Sequence, residues 1–182
     1  MSEEWVNVMT EKHYLVANKR LKQGEYGSNP FWVLAEEIDE SELKNVYYRQ
    51  MHEWKGQKYW LIYKTKNDCH GIAIERRRDL TIPHVTNKFI YELDCPDERL
   101  AYEALFRFVE EQLWYGDKIE LYTCFDGEED AARRTACDTV IHLDVGLYIS
   151  GGASFPISKE NQVADLARKF RWYDRQYAVI QR

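Results

Sequence analysis

The feature that most constrains the fold of this chain is a change of sequence period about halfway along it. Short runs rich in aromatic and β-branched residues occupy the first half, and Gly-containing connections separate several of them. We predict strands over residues 31–38, 46–51, 59–65, 72–76 and 88–93. The connections at 55–57 and 66–71 suit hairpins, so the second to fourth of these strands are expected to form an antiparallel meander.

The second half of the sequence has helical periodicity in two places. A helix is predicted from Pro96 to about Trp114, with Gly116 ending it, and a longer one from 159 to about 180. Strands are expected over 118–125 and, bent or divided in two, over 139–150. A short helix is expected at 128–136 and one helical turn at 40–45. Strands first and helices later predict an α+β fold, a mixed, mostly antiparallel sheet with two long helices packed on one face, in a single domain over residues 1–182.

Aromatic residues are more numerous than a compact core requires. The chain contains six Trp, thirteen Tyr and seven Phe among 182 residues. Trp and Tyr combine a large apolar ring with a polar group, which suits half-buried contact surfaces. No sequence motif for a cofactor, a metal or a nucleophile accompanies them, so we expect neither a cofactor nor a metal. The composition indicates protein binding before catalysis.

The charge balance and the cysteines limit the expected partners and cellular location of the protein. A formal net charge of −6 opposes binding to the phosphate backbone, so a nucleic-acid partner is not expected. The N-terminal residues Met1–Trp5 lack the features of a signal peptide, and no apolar stretch is long enough to span a membrane. The four cysteines form no C-x-x-C pair. We therefore expect a cytoplasmic protein with free thiols.

The predicted C-terminal helix has an arginine ridge opposite its apolar face. Arg168, Arg171, Arg175 and Arg182 fall within about 60° of one another on a helical projection. Trp172 lies beside this ridge, where guanidinium groups can stack on it. Trp and Arg dominate binding hot spots, so Trp172 with Arg168, Arg171 and Arg175 is the predicted binding site. The alternative is an ordinary solvated face, with Trp172 packed against a neighbouring strand.

A second cluster of residues is the candidate for catalysis. His142 and Asp144 share one face of a predicted strand, and Asp126 and Glu129 follow the preceding strand. Together they can be assembled into a general base and a carboxylate cluster of a metal-dependent hydrolase or nuclease. The simpler interpretation is that the acids favour the first turn of a helix, and that a lone His-x-Asp pair has no diagnostic value. The sequence leaves catalysis open.

Two function classes follow. The first is a stoichiometric protein-binding module, such as an inhibitor, an immunity protein or an adaptor, that uses aromatic and arginine anchors. The second is the hydrolase or nuclease built on the Asp, Glu and His cluster. A homodimer is also expected, because the helix from Pro96 to Trp114 is apolar over too wide an arc for a sheet face alone to cover.

Overall fold

The computed structural model describes residues 10–182, which form a large sheet, a small sheet and three α-helices. Residues Met1–Trp5, on which the absence of a signal peptide was argued, lie outside this range. Within it, no helix combines the length and the apolar character needed to cross a membrane. The predicted α+β class is confirmed.

The elements of residues 10–182 are as follows. In chain order they are β1 Glu11–Ala17, β2 Gly24–Tyr26, β3 Phe31–Leu34, α1 Glu40–Leu43, β4 Tyr48–Trp54, β5 Gln57–Tyr63, β6 Ile72–Arg77, β7 Phe89–Asp94, α2 Arg99–Gln112, β8 Lys118–Phe125, β9 Thr139–His142, β10 Leu147–Ser150, β11 Ala153–Pro156, α3 Gln162–Lys169 and β12 Tyr177–Gln181. Short 3-10 turns lie at Lys66–Cys69 and Thr135–Cys137.

The large sheet has nine strands in the order β11-β10-β9-β12-β8-β1-β7-β6-β2, and the small sheet has the order β3-β5-β4. Neighbouring strands are antiparallel except for β9 and β12, which run parallel. β1 lies in the middle, paired with β7 on one side and β8 on the other. The predicted mixed, mostly antiparallel sheet is therefore confirmed.

The central strand β1 is buried on both faces. Leu15 and Ala17 belong to the larger hydrophobic core, which α2 and α3 cover on one face of the sheet. Tyr14 and Val16 belong to a second, smaller core on the opposite face. Ile82, from the connection between β6 and β7, completes that second core.

A buried carboxylate fixes this connection to the sheet. The side chain of Glu120 is fully buried and accepts hydrogen bonds from Tyr177 Oη at 2.6 Å, Thr86 Oγ1 at 2.8 Å and Asn87 N at 2.8 Å. Burial opposes the charge and acts to raise the pKa of Glu120. These hydrogen bonds outweigh it, so the pKa lies below its ordinary value. The buried charge is thereby compensated within the fold.

The helix predicted from Pro96 to Trp114 is α2, which begins at Arg99 because Glu98 has an extended backbone. Its wide apolar arc is covered inside the chain. Phe170, just after α3, makes edge-to-face contacts with the rings of Tyr102 and Phe106. This packing covers the apolar arc that was one reason to expect a homodimer, and the homodimer itself stays a prediction.

The prediction of one helix over 159–180 is wrong. α3 ends at Lys169, Arg175 has a positive φ of 54°, and Tyr177 begins strand β12. A left-handed residue interrupts a helix. The β-branched pair Val179 and Ile180 then alternates between the two faces of the large sheet, which favours a strand. A helical projection of this segment therefore combines residues from two different elements.

Three further predictions differ from the structure. Residues 128–136 form turns before the 3-10 turn at Thr135–Cys137, not a helix. The expected meander breaks after its first hairpin, because β5 belongs to the small sheet and β6 to the large one. The central strand β1 was not predicted at all. In contrast, the helical turn at 40–45 is present as α1, and 139–150 is divided into β9 and β10.

Trp172 lies in the core, with 7% of its surface exposed. Its ring stacks on His13 at 4.2 Å between centroids, and its Nε1 donates to the carbonyl oxygen of Cys95 at 3.2 Å. Phe170 contacts it edge to face at 4.7 Å. The predicted exposure of Trp172 is wrong, and the alternative of a core residue describes the structure.

We expect Trp172→Ala to destabilise the protein by about 3–5 kcal/mol, because it opens a cavity among aromatic rings and leaves the carbonyl of Cys95 unpaired. Thermal and urea unfolding measure the loss. The matched control is Tyr173→Ala at the next, half-exposed position, which should cost less than about 1 kcal/mol. Equal effects of the two variants would contradict the assignment of Trp172 to the core.

The stacked His13 gives the fold an acid-sensitive contact. Burial lowers its pKa from 6.5 to about 4 against the smaller, opposite effect of the Asp97 charge, and Nδ1 lies 3.1 Å from Thr123 Oγ1. The unfolded chain therefore binds a proton at a higher pH than the native state does. Stability contributed by neutral His13 is present above pH 6.5 and is lost as the pH falls toward 4.

We expect the difference in unfolding free energy between the wild type and His13→Gln to change by on the order of 1–2 kcal/mol between pH 7 and pH 5, with the wild type losing more. Urea unfolding of both proteins over this range measures it. Every other titrating group is present in both proteins, so its contribution cancels in the difference. If the unfolding free energies of the two proteins change in parallel with pH, His13 titrates normally in the native state.

Candidate functional site

The residues predicted to form a binding site lie in several different environments. Arg168 is exposed on α3 and pairs with Asp165 at 2.5 Å. Arg171 donates to the carbonyl of Phe170, 2.5 Å away, and Arg175 pairs with Asp174 at 3.1 Å. They do not form one helical ridge, because α3 ends before Arg171. With Trp172 buried, a binding role for the three arginines stays a prediction.

The four residues considered for catalysis lie at two opposite ends of the large sheet. His142 and Asp144 line a cavity of about 500 Å³ beside Lys118, at the start of β8. Asp126 and Glu129 follow the far end of β8, which is eight residues long. Strand geometry separates the two ends by about 25 Å. No metal or general base can therefore be shared by all four.

Each pair of these residues has local partners. His142 Nδ1 lies 2.7 Å from Gln181 Nε2, and Asp144 lies 3.5 Å from Arg182 Nε. Glu129 accepts a hydrogen bond from Tyr14 Oη at 2.6 Å, which ties the loop after β8 to the central strand. Among residues 10–182, no group of three or more His, Cys, Asp or Glu side chains is arranged to hold a metal ion.

The surface that stands out is the small sheet, which lies within an insertion. Strands β2 and β6 pair with one another in the large sheet, yet residues 27–71 separate them along the chain. We call residues 27–71 the insertion. Between 31 and 71 it buries only the side chains of Leu43 and Ile62. Its remaining apolar residues lie at least partly at the surface.

Register assigns each side chain of the small sheet to one of its two faces. Tyr59 and Leu61 of β5 lie opposite Leu34 and Trp32 of β3, and opposite His52 and Gln50 of β4. We call the face that contains them the uncharged face, because it has no Asp, Glu, Lys or Arg. Its ten members are Trp32, Leu34, Tyr48, Gln50, His52, Trp54, Gln57, Tyr59, Leu61 and Tyr63.

The uncharged face is open to solvent. Trp32 is 57% exposed and Trp54 is 63% exposed, and none of the ten residues is buried. Trp32 contacts His52 edge to face at 5.1 Å, and the rings of Tyr48 and Tyr63 lie 6.0 Å apart. These rings thus form two contacting pairs on the same face. In a chain with 31% charged residues, a ten-residue surface without a charge is unusual.

The opposite face of the small sheet is partly covered by α1. Arg49 donates to the carbonyl of Leu43 at 2.8 Å and lies 5.8 Å from the ring of Trp60. Beside α1, an open groove of about 630 Å³ has Phe31 and Ile62 among its lining residues. Both faces of the insertion therefore present apolar surface that the described part of the chain leaves uncovered.

Two glycines allow close packing at the base of the insertion, Gly27 against α2 and Gly71 against the chain at Tyr26. Gly27 has a φ of +82°, and a Cβ at this position would lie 2.5 Å from the Cβ of Ala104. A Cβ on Gly71 would lie 2.6 Å from the carbonyl oxygen of Tyr26. Just beside them, His70 Nδ1 lies 2.6 Å from a carboxylate oxygen of Glu98. The insertion is thus fixed at its base, while its sheet extends into solvent.

Sequence reasoning missed this surface although the signal was present. Tyr48, Gln50, His52 and Trp54 alternate with Arg49, Met51 and Glu53, and this period of two separates the uncharged face from the charged one. The strand prediction for 46–51 ended too early to show the pattern. No member of the uncharged face was among the predicted site residues.

Comparison of the chain with protein families, curated proteins and solved structures finds no match. No relative therefore assigns a role to the insertion or to the cavity beside His142.

Proposed function

We propose that this protein is a stoichiometric protein-binding module that docks its partner on the uncharged face. The observation that supports the proposal is the combination of ten uncharged side chains, five of them Trp or Tyr, with an insertion that buries only Leu43 and Ile62. Large exposed apolar patches on soluble proteins mark interaction sites. An inhibitor, an immunity protein and an adaptor all fit this mode of action.

The chemistry of the face favours a protein over other partners. Interface centres are depleted of charge and enriched in Trp and Tyr. Nucleic-acid platforms also use aromatic rings, but they combine them with a basic groove. None of the ten members of the uncharged face is Lys or Arg, although Nζ of the turn residue Lys55 lies 4.5 Å from the ring centre of Trp54, and the chain has a net charge of −6. A protein partner with an apolar, weakly charged surface is the best fit.

The energetics of the insertion support the same conclusion. A three-stranded sheet needs a buried face for independent stability, and two buried side chains supply little of it. Three half-exposed rings, those of Trp32, Tyr48 and Trp54, offer on the order of 300 Å² for burial. Covering them would stabilise the partner complex and the insertion together.

The cellular location of the protein is also part of the proposal. All four cysteines are free thiols, and Cys95 and Cys124 are buried. Burial raises the pKa of both thiols to about 12, which keeps them protonated and unreactive at neutral pH. A reducing compartment preserves such thiols, so we place the protein in the cytoplasm.

The test uses Trp32→Ala, which removes a ring from β3 and leaves every residue of β4 unchanged, including His52, which this ring contacts. Tagged wild type and variant are used to capture proteins from an extract of the source organism, and the captured protein is then titrated by calorimetry. We expect 1:1 binding to the wild type and a loss of about 2 kcal/mol or more with Trp32→Ala.

Trp114→Ala is the matched control, because Trp114 is 73% exposed but lies outside the insertion, after α2. It should bind like the wild type. Both variants should keep the wild-type melting temperature within a few degrees. If every captured protein binds Trp32→Ala as tightly as it binds Trp114→Ala, the uncharged face is not the docking surface.

A further inference from the structure

Strand β4 is an open edge of the small sheet. In the order β3-β5-β4 it pairs with β5 on one side, and no other strand of residues 10–182 pairs with its outer side. Six of its seven residues are exposed, with His52 the exception. Long exposed edges pair readily with another strand unless the sequence opposes it.

The outer side of β4 presents the backbone groups of three residues. The amide of Ala35 donates to the carbonyl of Lys58. The backbone N–H and C=O groups of Lys58, and of every second residue after it in β5, therefore point toward β3. The residues between them bond toward β4, where their partners are Tyr48, Gln50, His52 and Trp54. The N–H and C=O groups of Arg49, Met51 and Glu53 therefore point outward.

We propose that a second copy of this chain pairs antiparallel with β4 about a two-fold axis at Met51, which joins the two small sheets into one of six strands. In this register Met51 lies opposite Met51 of the second copy. Arg49 lies opposite Glu53 of the second copy, and symmetry repeats this pair. The three residues that pair are the three whose backbone groups point outward.

The sequence of β4 is self-complementary around Met51. Two positions away on either side, Arg49 and Glu53 have opposite charges, and cross-strand pairs of opposite charge are favourable. Arg49 uses one terminal nitrogen to bond the carbonyl of Leu43. Its guanidinium retains further donors for a carboxylate. Two chains with a net charge of −6 each thus meet where their own charges are balanced.

The uncharged face is equally compatible with this register. Tyr48 lies opposite Trp54 of the second copy, an aromatic pair of the kind that stabilises antiparallel strands. Gln50 lies opposite His52, whose Nε2 has no hydrogen-bond partner among residues 10–182. A partner of unrelated sequence would have to supply all of these matches separately. A second copy supplies all of these matches, and the two-fold symmetry forms each pair twice.

Dimerisation goes beyond the proposed function and does not depend on it. Paired residues of two antiparallel strands point to the same side of a sheet. The two uncharged faces would therefore adjoin as one continuous platform of twenty side chains. Two identical docking surfaces on one assembly increase the avidity for a repeated or dimeric partner.

A charge-swap series tests the register by sedimentation equilibrium. The wild type should have about twice the chain mass of 21.8 kDa. Arg49→Glu places two carboxylates opposite each other, Glu53→Arg places two guanidinium groups opposite each other, and each should raise the dimer dissociation constant at least tenfold. The double variant restores opposite charges and should return it to within about threefold of the wild type.

Lys44→Glu is the matched control for Arg49→Glu, because it makes the same change of net charge at an exposed site that is not part of β4. It should leave the dissociation constant unchanged. Circular dichroism and melting temperature establish that each variant is folded. A wild type that remains monomeric at about 0.5 mM would overturn the proposal. So would a folded double variant that stays as weak as the single variants.

Cross-linking gives a second measurement that does not depend on charge. The Cα atoms of a hydrogen-bonded antiparallel pair lie about 5.5 Å apart, which is within the range for a disulfide. Met51→Cys should therefore form a covalent dimer under mild oxidation. In Tyr48→Cys the two new thiols would lie about 20 Å apart in this register, so it should remain monomeric on a non-reducing gel. Equal cross-linking of the two variants would show that the copies do not meet in this register.

Discussion

The fold depends on one strand that is buried on both faces. β1 lies in the middle of the nine-stranded sheet, and its side chains alternate between the core under the helices and the smaller core on the other side. Both cores contain side chains of β1, so neither can form without this strand. His13 extends this link, because the same strand also supports the ring of Trp172. The C-terminal segment is thereby attached to the centre of the sheet, and the large body of the protein becomes one cooperative unit.

Much of the α+β fold could be predicted from the sequence, and the predictions that failed did so for physical reasons. Alternating apolar residues and turn signals identified the β4–β5 hairpin, and a strong helical period identified α2. β1 was missed because a strand buried on both faces is a continuous apolar run, Tyr14–Ala17, without the alternation that identifies strands. The end of α3 was missed because Phe170, whose extended backbone ends the helix, packs its ring against Tyr102 and Phe106, and this contact joins distant parts of the chain.

The candidate site was harder to predict than the fold. The aromatic excess correctly indicated rings beyond those of a core, but not which of them are exposed. The local sequence does not distinguish Trp172 from Trp32, yet the first lies in the core and the second is exposed to solvent. Exposure is decided by which elements pack over a residue, and that depends on contacts between distant parts of the chain. Only the register of β3, β4 and β5 shows that the exposed rings share one face without charges.

The position of β12 has a consequence for the order in which the protein assembles. This strand lies between β8 and β9, and among residues 10–182 it is the strand that joins the hairpin of β9 and β10, with β11, to the rest of the sheet. During synthesis the ribosome releases β9, β10 and β11 before β12. These three strands must therefore wait beside an unfinished sheet until Tyr177–Gln181 emerges. β1 likewise has to wait for β7 and β8, and β12, the last of these strands to emerge, closes the sheet.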